Sequence, residues 1–326
     1  MHPRRHVLSL ALALLCAVPA TGIAQTYPTH PIRLVVSFAA GGPTDAIARI
    51  VATGMTKALG QQIIVDNRAG GGGMLGTKEA SKAPADGYTL LFAGDAALTV
   101  QPQLSKNAGY DSQKDFTPLR LVASQVNVLV ASSAKNLPDV ATLISRAKAE
   151  PGKLFFGSAG NGSPSHLIGE LFKTNTGIDL THVPYKGAAP AMTDLIGGQT
   201  DLMFVGMPVA LQNEVRKELK LLAVTGAKRS PSLPKIPTFT ELGIQGLGAE
   251  SAVWWAVMGP PGLTPAVQAR LDAALQSALA DAEVNKALAS QGVDVLNLDA
   301  KTTAQWITRD YLKWGKLIKT NRITAD

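Results

Sequence analysis

IRLVVSFAAGGPTDAIARIVATGMTKALG, residues 32–60, holds a strand, a bare turn and a helix in one run. IRLVVSF (32–38) is short, apolar and rich in β-branched residues, the pattern of a buried strand. TDAIARIVATGMTKALG (44–60) repeats apolar residues at helical spacing and stops on Gly60, a C-cap signal. Between them, Ala39-Ala40-Gly41-Gly42 carries almost no side chain. Thr44 and Asp45 have an ordinary reading at a helix start, since both cap backbone N–H groups and an acid suits the dipole. The bare run adds another: a ligand can approach naked N–H groups at a helix N-terminus, and such a place binds anions.

The same alternation continues outward. QIIVDN reads as the second strand, Leu75–Ala83 as a short helix, and YTLLFAG as the third strand after the Asp86-Gly87 turn. From residue 120, LVASQVNVLVAS reads as one strand. Helices DVATLISRAKAE, PSHLIGELFKTNTG and AAPAMTDLIGGQ then alternate with strands KLFFGSA, DLTHVPYK, DLMFVG and KLLAVTG. A Pro-rich crossing loop (229–239), strand ESAVWWAVMGP, one or two helices from Thr264 and a last helix through AQWITRDYLKWGKLIK complete the chain. Strands alternating with helices imply parallel sheets with helices on their faces.

NRAGGGGMLGTKEA (67–80) tests a different idea. Gly71-x-Gly73-x-x-Gly76 has the spacing of a dinucleotide-binding turn, with Asp95 downstream where an acid belongs. The context disagrees: Arg68, Ala69 and Gly70 separate the glycines from their strand, and that strand is the second of its series. The expected role is a turn, with Gly76 allowing close helix packing and Arg68 tying the loop down.

FGSAGNGSPSHL (156–167) repeats the strand–turn–helix design of the opening stretch. Ser158, Ser163 and Ser165 supply hydroxyl donors for an anion. A Ser–His nucleophile using His166 is the rival, a secreted hydrolase, but the G-x-S-x-G elbow is absent. Tyr185-Lys186-Gly187 is a turn at the end of a strand, where open α/β sheets bind ligands. Trp254 and Trp255 point to opposite faces of a strand, one toward the core and one toward a cleft.

Composition narrows the function further. The formal charge is +7, with no basic run that would mark a nucleic-acid face. Arg4, Arg5 and VLSLALALLCAV have the form of a signal peptide ending near Ala24. Leu15 before Cys16 argues against a lipoprotein anchor, so free export to the periplasm is expected. Removal of the leader takes the single cysteine with it and leaves three scattered histidines, so neither a thiol nor a metal site is expected. No cofactor is expected.

Several segments together resemble the periplasmic substrate-binding proteins of tripartite tricarboxylate transporters, the Bug family. They are YPTHPIRLVVSFAAGGPTDAIAR, DNRAGGGGMLGTKEA, PADGYTLLF, YDSQKDFTPL, KLFFGSAGNGSPSHLIGELF, HVPYKGAAPAMTDLIGGQTDLMF, LLAVTGAKRSPSLPKIPTFTELG and KWGKLIK, spread over nearly the whole chain behind the leader. The resemblance implies an α/β, type II periplasmic-binding-protein fold: two α/β lobes joined by crossing strands, with the ligand cleft between them. Residues 25–125 plus 251–326 would form lobe 1 and residues 126–250 lobe 2, with the final helix packing across both. It implies a monomeric solute-binding protein, not an enzyme, that hands a small organic acid to integral-membrane transporter components. Carried over by position, the carboxylate clamp is Phe38, Ala39, Ala40, Gly41, Gly42, Thr44 and Asp45 with Ser158, Ala159, Gly160, Gly162, Ser163, Ser165 and His166. Variable walls are Asp95, Tyr185, Lys186, Gly187, Gly206, Met207 and Trp255. Ser37 departs from the family, which usually has proline there.

Magnitudes favour closure of both lobes. Binding near 1 μM needs about −8 kcal/mol, while a helix N-terminus supplies roughly 0.3–1 and at most about 2 kcal/mol. Several charge-assisted hydrogen bonds of about 1.5–3 kcal/mol each must add to it. Asp45 would repel a bound carboxylate, so its expected task is to orient the loop.

Overall fold

The computed structural model describes residues 27–105, 107–248 and 251–324; the expected leader lies outside them. Strand β1 (Ile32–Val36) leads into helix α1 (Pro43–Leu59), followed by β2 (Ile63–Asn67), α2 (Met74–Ala80), β3 (Thr89–Gly94), the short α3 (Gln101–Leu104) and β4 (Thr117–Gln125). A second series follows: β5 (Asn127–Ser132), α4 (Val140–Ala149), β6 (Phe155–Ser158), α5 (Pro164–Thr176), β7 (Thr181–Pro184), α6 (Ala188–Ile196), β8 (Leu202–Gly206), α7 (Met207–Arg216) and β9 (Leu219–Val224). The chain then returns through β10 (Val253–Gly259), α8 (Pro265–Ala280), α9 (Ala282–Ser290), β11 (Asp294–Leu298) and α10 (Ala300–Thr320).

These strands form two sheets, one in each lobe. The first has the order β11-β4-β10-β3-β1-β2 and the second β7-β6-β8-β5-β9. Each has a parallel core, β3-β1-β2 and β7-β6-β8. The expected parallel arrangement holds only for these cores: β10 runs antiparallel to β3 and β4, β11 antiparallel to β4, and β5 antiparallel to β8 and β9. These strands enter their sheets from the other lobe or from the returning chain, so no right-handed crossover helix sets their direction.

LVASQVNVLVAS, read as one strand, is two. The break falls at Val126, and β4 and β5 belong to different sheets. The run is apolar and β-branched on both sides of the break, so periodicity carries no mark of the switch. The polar residues beside it are tied down: Asn127 N–H donates to Thr225 Oγ1 and Thr225 N–H to Asn127 O, both at 2.8 Å.

Both faces of each sheet are covered. Along β10, Trp255 and Val257 enter one core cluster with α1 and α8, while Trp254, Ala256 and Met258 enter another with Ile307 of α10. Period-2 alternation thus buries both tryptophans, at 0% and 3% exposure. The expectation that one of the pair faces a cleft fails for this reason. In β5, Leu129 and Ala131 pack on one side and Val128 and Val130 on the other.

Helix α10 ties the halves together. Ile307 packs in the first lobe, whereas Trp314, Leu317 and Ile318 lie in the core of the second with Phe156, Phe172 and Phe204. Three elements were not legible in the pattern: α7, β11 and the turns of helix from Ala96 to Leu104.

Candidate functional site

Most helices that follow parallel-core strands start without a side-chain cap; α5, after β6, is the exception and is capped by Ser163. α1, α2, α6 and α7 follow β1, β2, β7 and β8, and begin at Gly42, Gly73, Gly187 and Gly206 without a side-chain cap. α4, α8, α9 and α10 are capped by Asp139, Thr264, Asp281 and Asp299. A glycine cap leaves first-turn N–H groups open, where Asp or Thr would fill them. The open starts sit at the carboxyl ends of strands in the parallel cores, the ligand edge of an α/β sheet.

The first loop is built to present amides. Ala39, Ala40 and Gly41 are exposed, and Phe38 is half-buried against the core. The amides of Ala39 and Ala40 have no hydrogen-bond partner among the described residues. Gly41 sits at φ +82°, in the left-handed region that favours glycine. Its N–H donates to Asp45 Oδ2 at 2.9 Å, which also accepts from Arg49 Nε at 3.0 Å. Asn67 Nδ2 donates to Asp45 Oδ1 at 2.9 Å and to Phe38 O at 3.0 Å. The Asp45 carboxylate is therefore turned into the loop. Burial pushes its pKa up, but the bonds from Arg49, Gly41 and Asn67 outweigh that and hold it below the ordinary carboxylate range. Thr44 is buried, and its Oγ1 accepts from Trp255 Nε1 at 3.0 Å, so the indole braces the start of α1. Ser37, where the family resemblance expects proline, is fully buried and its hydroxyl has no partner among the described residues.

The second loop, Ser158 to His166, closes on itself. Ser165 Oγ accepts from Ala159 N–H at 3.0 Å and pairs with Ser163 Oγ at 3.1 Å, and Ser163 caps α5. Ser158 Oγ accepts from Gly160 N–H at 3.1 Å, and His166 Nδ1 from Gly162 N–H at 3.0 Å. Gly162 lies beside Leu104 and Gln101 of α3, the short helix that follows β3.

The wall residues divide. Lys186 is exposed, and Gly187 and Gly206 head their helices. Tyr185 donates its hydroxyl to Asp194 Oδ2 at 2.7 Å, and burial with this acid pushes its pKa up to about 12. Met207 is buried among Val128, Val205 and Ala210, in the second lobe's core. Asp95 is 5% exposed and faces Asp310 and Lys313 of α10. Burial, with Asp310 adding to it, pushes the Asp95 pKa up to about 7. Asp310 accepts from Trp254 Nε1 at 2.7 Å, from Arg309 at 3.0 Å and from Lys313 at 3.2 Å.

Asn67 and His182 escaped the sequence reading. Asn67 ends β2 and pairs in register with Val36, so it stands beside the first loop; the carboxyl-end rule applied to the neighbouring strand would have found it. His182 Nε2 lies 2.7 Å from Ser158 Oγ. No spacing in the sequence announces that pair, which depends on β6 and β7 lying side by side. At the glycine-rich stretch, a Cβ on Gly76 would lie 2.7 Å from Arg68 O and 3.0 Å from Ser37 Cα, a packing demand rather than a cofactor contact. Arg68 pairs with Asp66 at 3.1 Å, which anchors that loop.

Two mixed α/β lobes joined by crossing strands, with open helix starts at the carboxyl ends of their parallel strands, define a type II periplasmic-binding fold. Solved structures agree. The periplasmic binding protein BugD superposes with a TM-score of 0.76 at 33% identity, over 92% of this chain and 100% of its own. R. palustris Rpa4515 with adipate gives 0.79 at 34%, over 91% and 99%. MatC from Rhodopseudomonas palustris with bound malate gives 0.75 at 29%, over 90% and 100%. Residues 47–323 match the family described as tripartite tricarboxylate transporter family receptor. The chain belongs to that family of periplasmic solute-binding proteins.

Proposed function

We propose that this chain captures a small carboxylate between the loops Phe38–Asp45 and Ser158–His166 and delivers it to a tripartite tricarboxylate-type membrane transporter. The observation that carries this reading is the open start of α1: bare amides at Ala39 and Ala40, a glycine cap, and the Asp45 carboxylate turned away into the loop. Bound adipate and malate in two structural neighbours support a carboxylate as the ligand class. The lobes would divide at residues 25–125 plus 251–326 and 126–250, in keeping with the membership of the two sheets. Residues 1–24 would direct export and be removed.

A thermal-shift screen over small carboxylates tests the reading. A ligand at about 100 times its dissociation constant stabilises by about 2.7 kcal/mol, a shift of about 5 °C or more for the melting of one lobe. No shift with any acid would sink the carboxylate assignment. The hydrolase alternative has one observation in its favour, the 2.7 Å contact of Ser158 Oγ with His182. Ser158 is fully buried, however, and a nucleophile must meet its substrate. Ser163 and Ser165, the serines first considered, bond backbone N–H groups and each other. Labelling of any of the three by a fluorophosphonate probe would reinstate the enzyme.

A further inference from the structure

His166 and His182 lie face to face, with ring centroids 3.8 Å apart and planes 3° from parallel. They come from different elements, α5 and β7, and Phe156 of β6 stacks on His182 at 4.8 Å. Each ring reaches the Ser158–His166 loop. His166 Nδ1 accepts directly from Gly162 N–H. His182 Nε2 contacts Ser158 Oγ, which in turn accepts from Gly160 N–H. Two loop amides are thus fixed by imidazoles, one directly and one through a hydroxyl. An imidazole nitrogen accepts a hydrogen bond only while it carries no proton. The Gly162 bond therefore requires a neutral His166 with its proton on Nε2.

Behind the rings is a polar recess of about 260 Å³, whose charged lining is Glu170, Lys173 and Arg322. Glu170 pairs with Lys173 at 3.0 Å and accepts from Asn321 at 2.8 Å. Arg322 is exposed and comes from the segment after α10. Lys173 also stands over the Phe156 ring at 5.8 Å. A second proton on His166 would set Nδ1–H against Gly162 N–H, donor against donor. It would also put a cation 3.8 Å from the His182 ring, so a second charge in the stack is opposed by Coulomb repulsion.

We propose that His166 and His182 are positioning residues that make anion capture pH-sensitive: the neutral His166 ring holds the Gly162 amide, His182 braces the Ser158 hydroxyl that bonds Gly160, and protonation of His166 releases the loop. This rests on the carboxylate reading above and adds a regulation to it. His166 then acts through the loop rather than as a direct ligand contact.

Long-range ¹H–¹⁵N spectra of the ligand-free, ¹⁵N-labelled chain read the His166 tautomer and its titration midpoint. The expected result is an unprotonated Nδ1 at pH 8. Calorimetry with adipate and with malate then compares Kd at pH 8 with Kd one pH unit below that midpoint. There about one neutral ring in eleven remains, so binding should weaken about tenfold if only the neutral form is competent. His166→Asn places a carbonyl oxygen near the position of Nδ1; it should restore binding and flatten the pH profile. His166→Leu should bind weakly at both pH values. A proton on Nδ1 at pH 8, or a His166→Asn variant that keeps the wild-type pH profile, would overturn the proposal. If neither acid binds at pH 8, these two acids are excluded as ligands and the carboxylate reading is decided by the wider thermal-shift screen. The tautomer, with the protection of the Gly162 amide against hydrogen exchange, then decides: protection lost on acidification in wild type but kept in His166→Asn supports the proposal, and equal behaviour overturns it.

Discussion

Replacing Asp95 by asparagine is expected to stabilise the fold, and increasingly so as pH rises. The carboxyl is 5% exposed and its pKa is raised from 3.8 to about 7 by burial and by Asp310. The unfolded chain releases this proton near the ordinary value, whereas the folded chain holds it to about 7. Between those limits unfolding releases a proton, so stability falls as pH rises, and the full cost is present above about pH 7. Linkage puts that cost at about 2 kcal/mol at pH 5 and about 4 kcal/mol at pH 8. Asparagine keeps the size and never ionises, and Lys313 keeps Asp310 as its partner. Urea unfolding of both proteins at several pH values gives the comparison directly. The advantage of Asp95→Asn should widen by about 2–3 kcal/mol from pH 5 to pH 8. Two stability curves that run parallel across this range would refute the reasoning, because they would mean that Asp95 is already ionised, and solvated, at pH 5.

Asp45→Ala frees the Gly41 amide and removes the acceptor for Arg49 and Asn67, so carboxylate binding measured by calorimetry should weaken about tenfold, the worth of one charge-assisted bond; tighter binding would reverse the loop-orienting role. Because its pKa is held down, Asp45 also adds stability that is present above the ordinary carboxylate range and lost as pH falls through its folded value, which acid unfolding of wild type and Asp45→Asn should show. Trp254→Phe leaves the buried Asp310 without its indole donor and should cost about 1–3 kcal/mol in denaturant melts. Gly76→Ala must push the Arg68 carbonyl aside and should cost about 1–3 kcal/mol; a neutral result would remove the packing role given to the glycine-rich stretch.

The fold class was legible because strand–turn–helix units repeat along the chain with clear periods and stops, as in β1 to Gly60 with its left-handed cap at φ 70°. Strand direction was not, because it is set by where a strand enters a sheet: β4 and β5 share one apolar run yet serve different sheets. β11 escaped for a related reason. Its residues are half-buried and partly polar, and pairing with β4 makes them a strand. In the candidate site, glycines and serines announced the two loops, since bare amides and hydroxyls are local properties. The groups that orient those loops were silent. Asn67 and His182 reach them across strand pairs, and Trp255, expected near a cleft, reaches Thr44 from a covered sheet face.

Helix α10 gives the architecture a further consequence. Ile307 belongs to one core and Trp314, Leu317 and Ile318 to the other, with the buried Asp310 between them. The two halves are therefore not exchangeable modules. A chimera that takes its second lobe from a relative must make a seam inside this single helix, between residues 310 and 314, where the side chains facing each half change owner within one turn. A chain cut there would leave an apolar hole in the second lobe and an orphaned tail on the first. Exchanging the second lobe of this chain alone would therefore break the packing of Trp314, Leu317 and Ile318 into it.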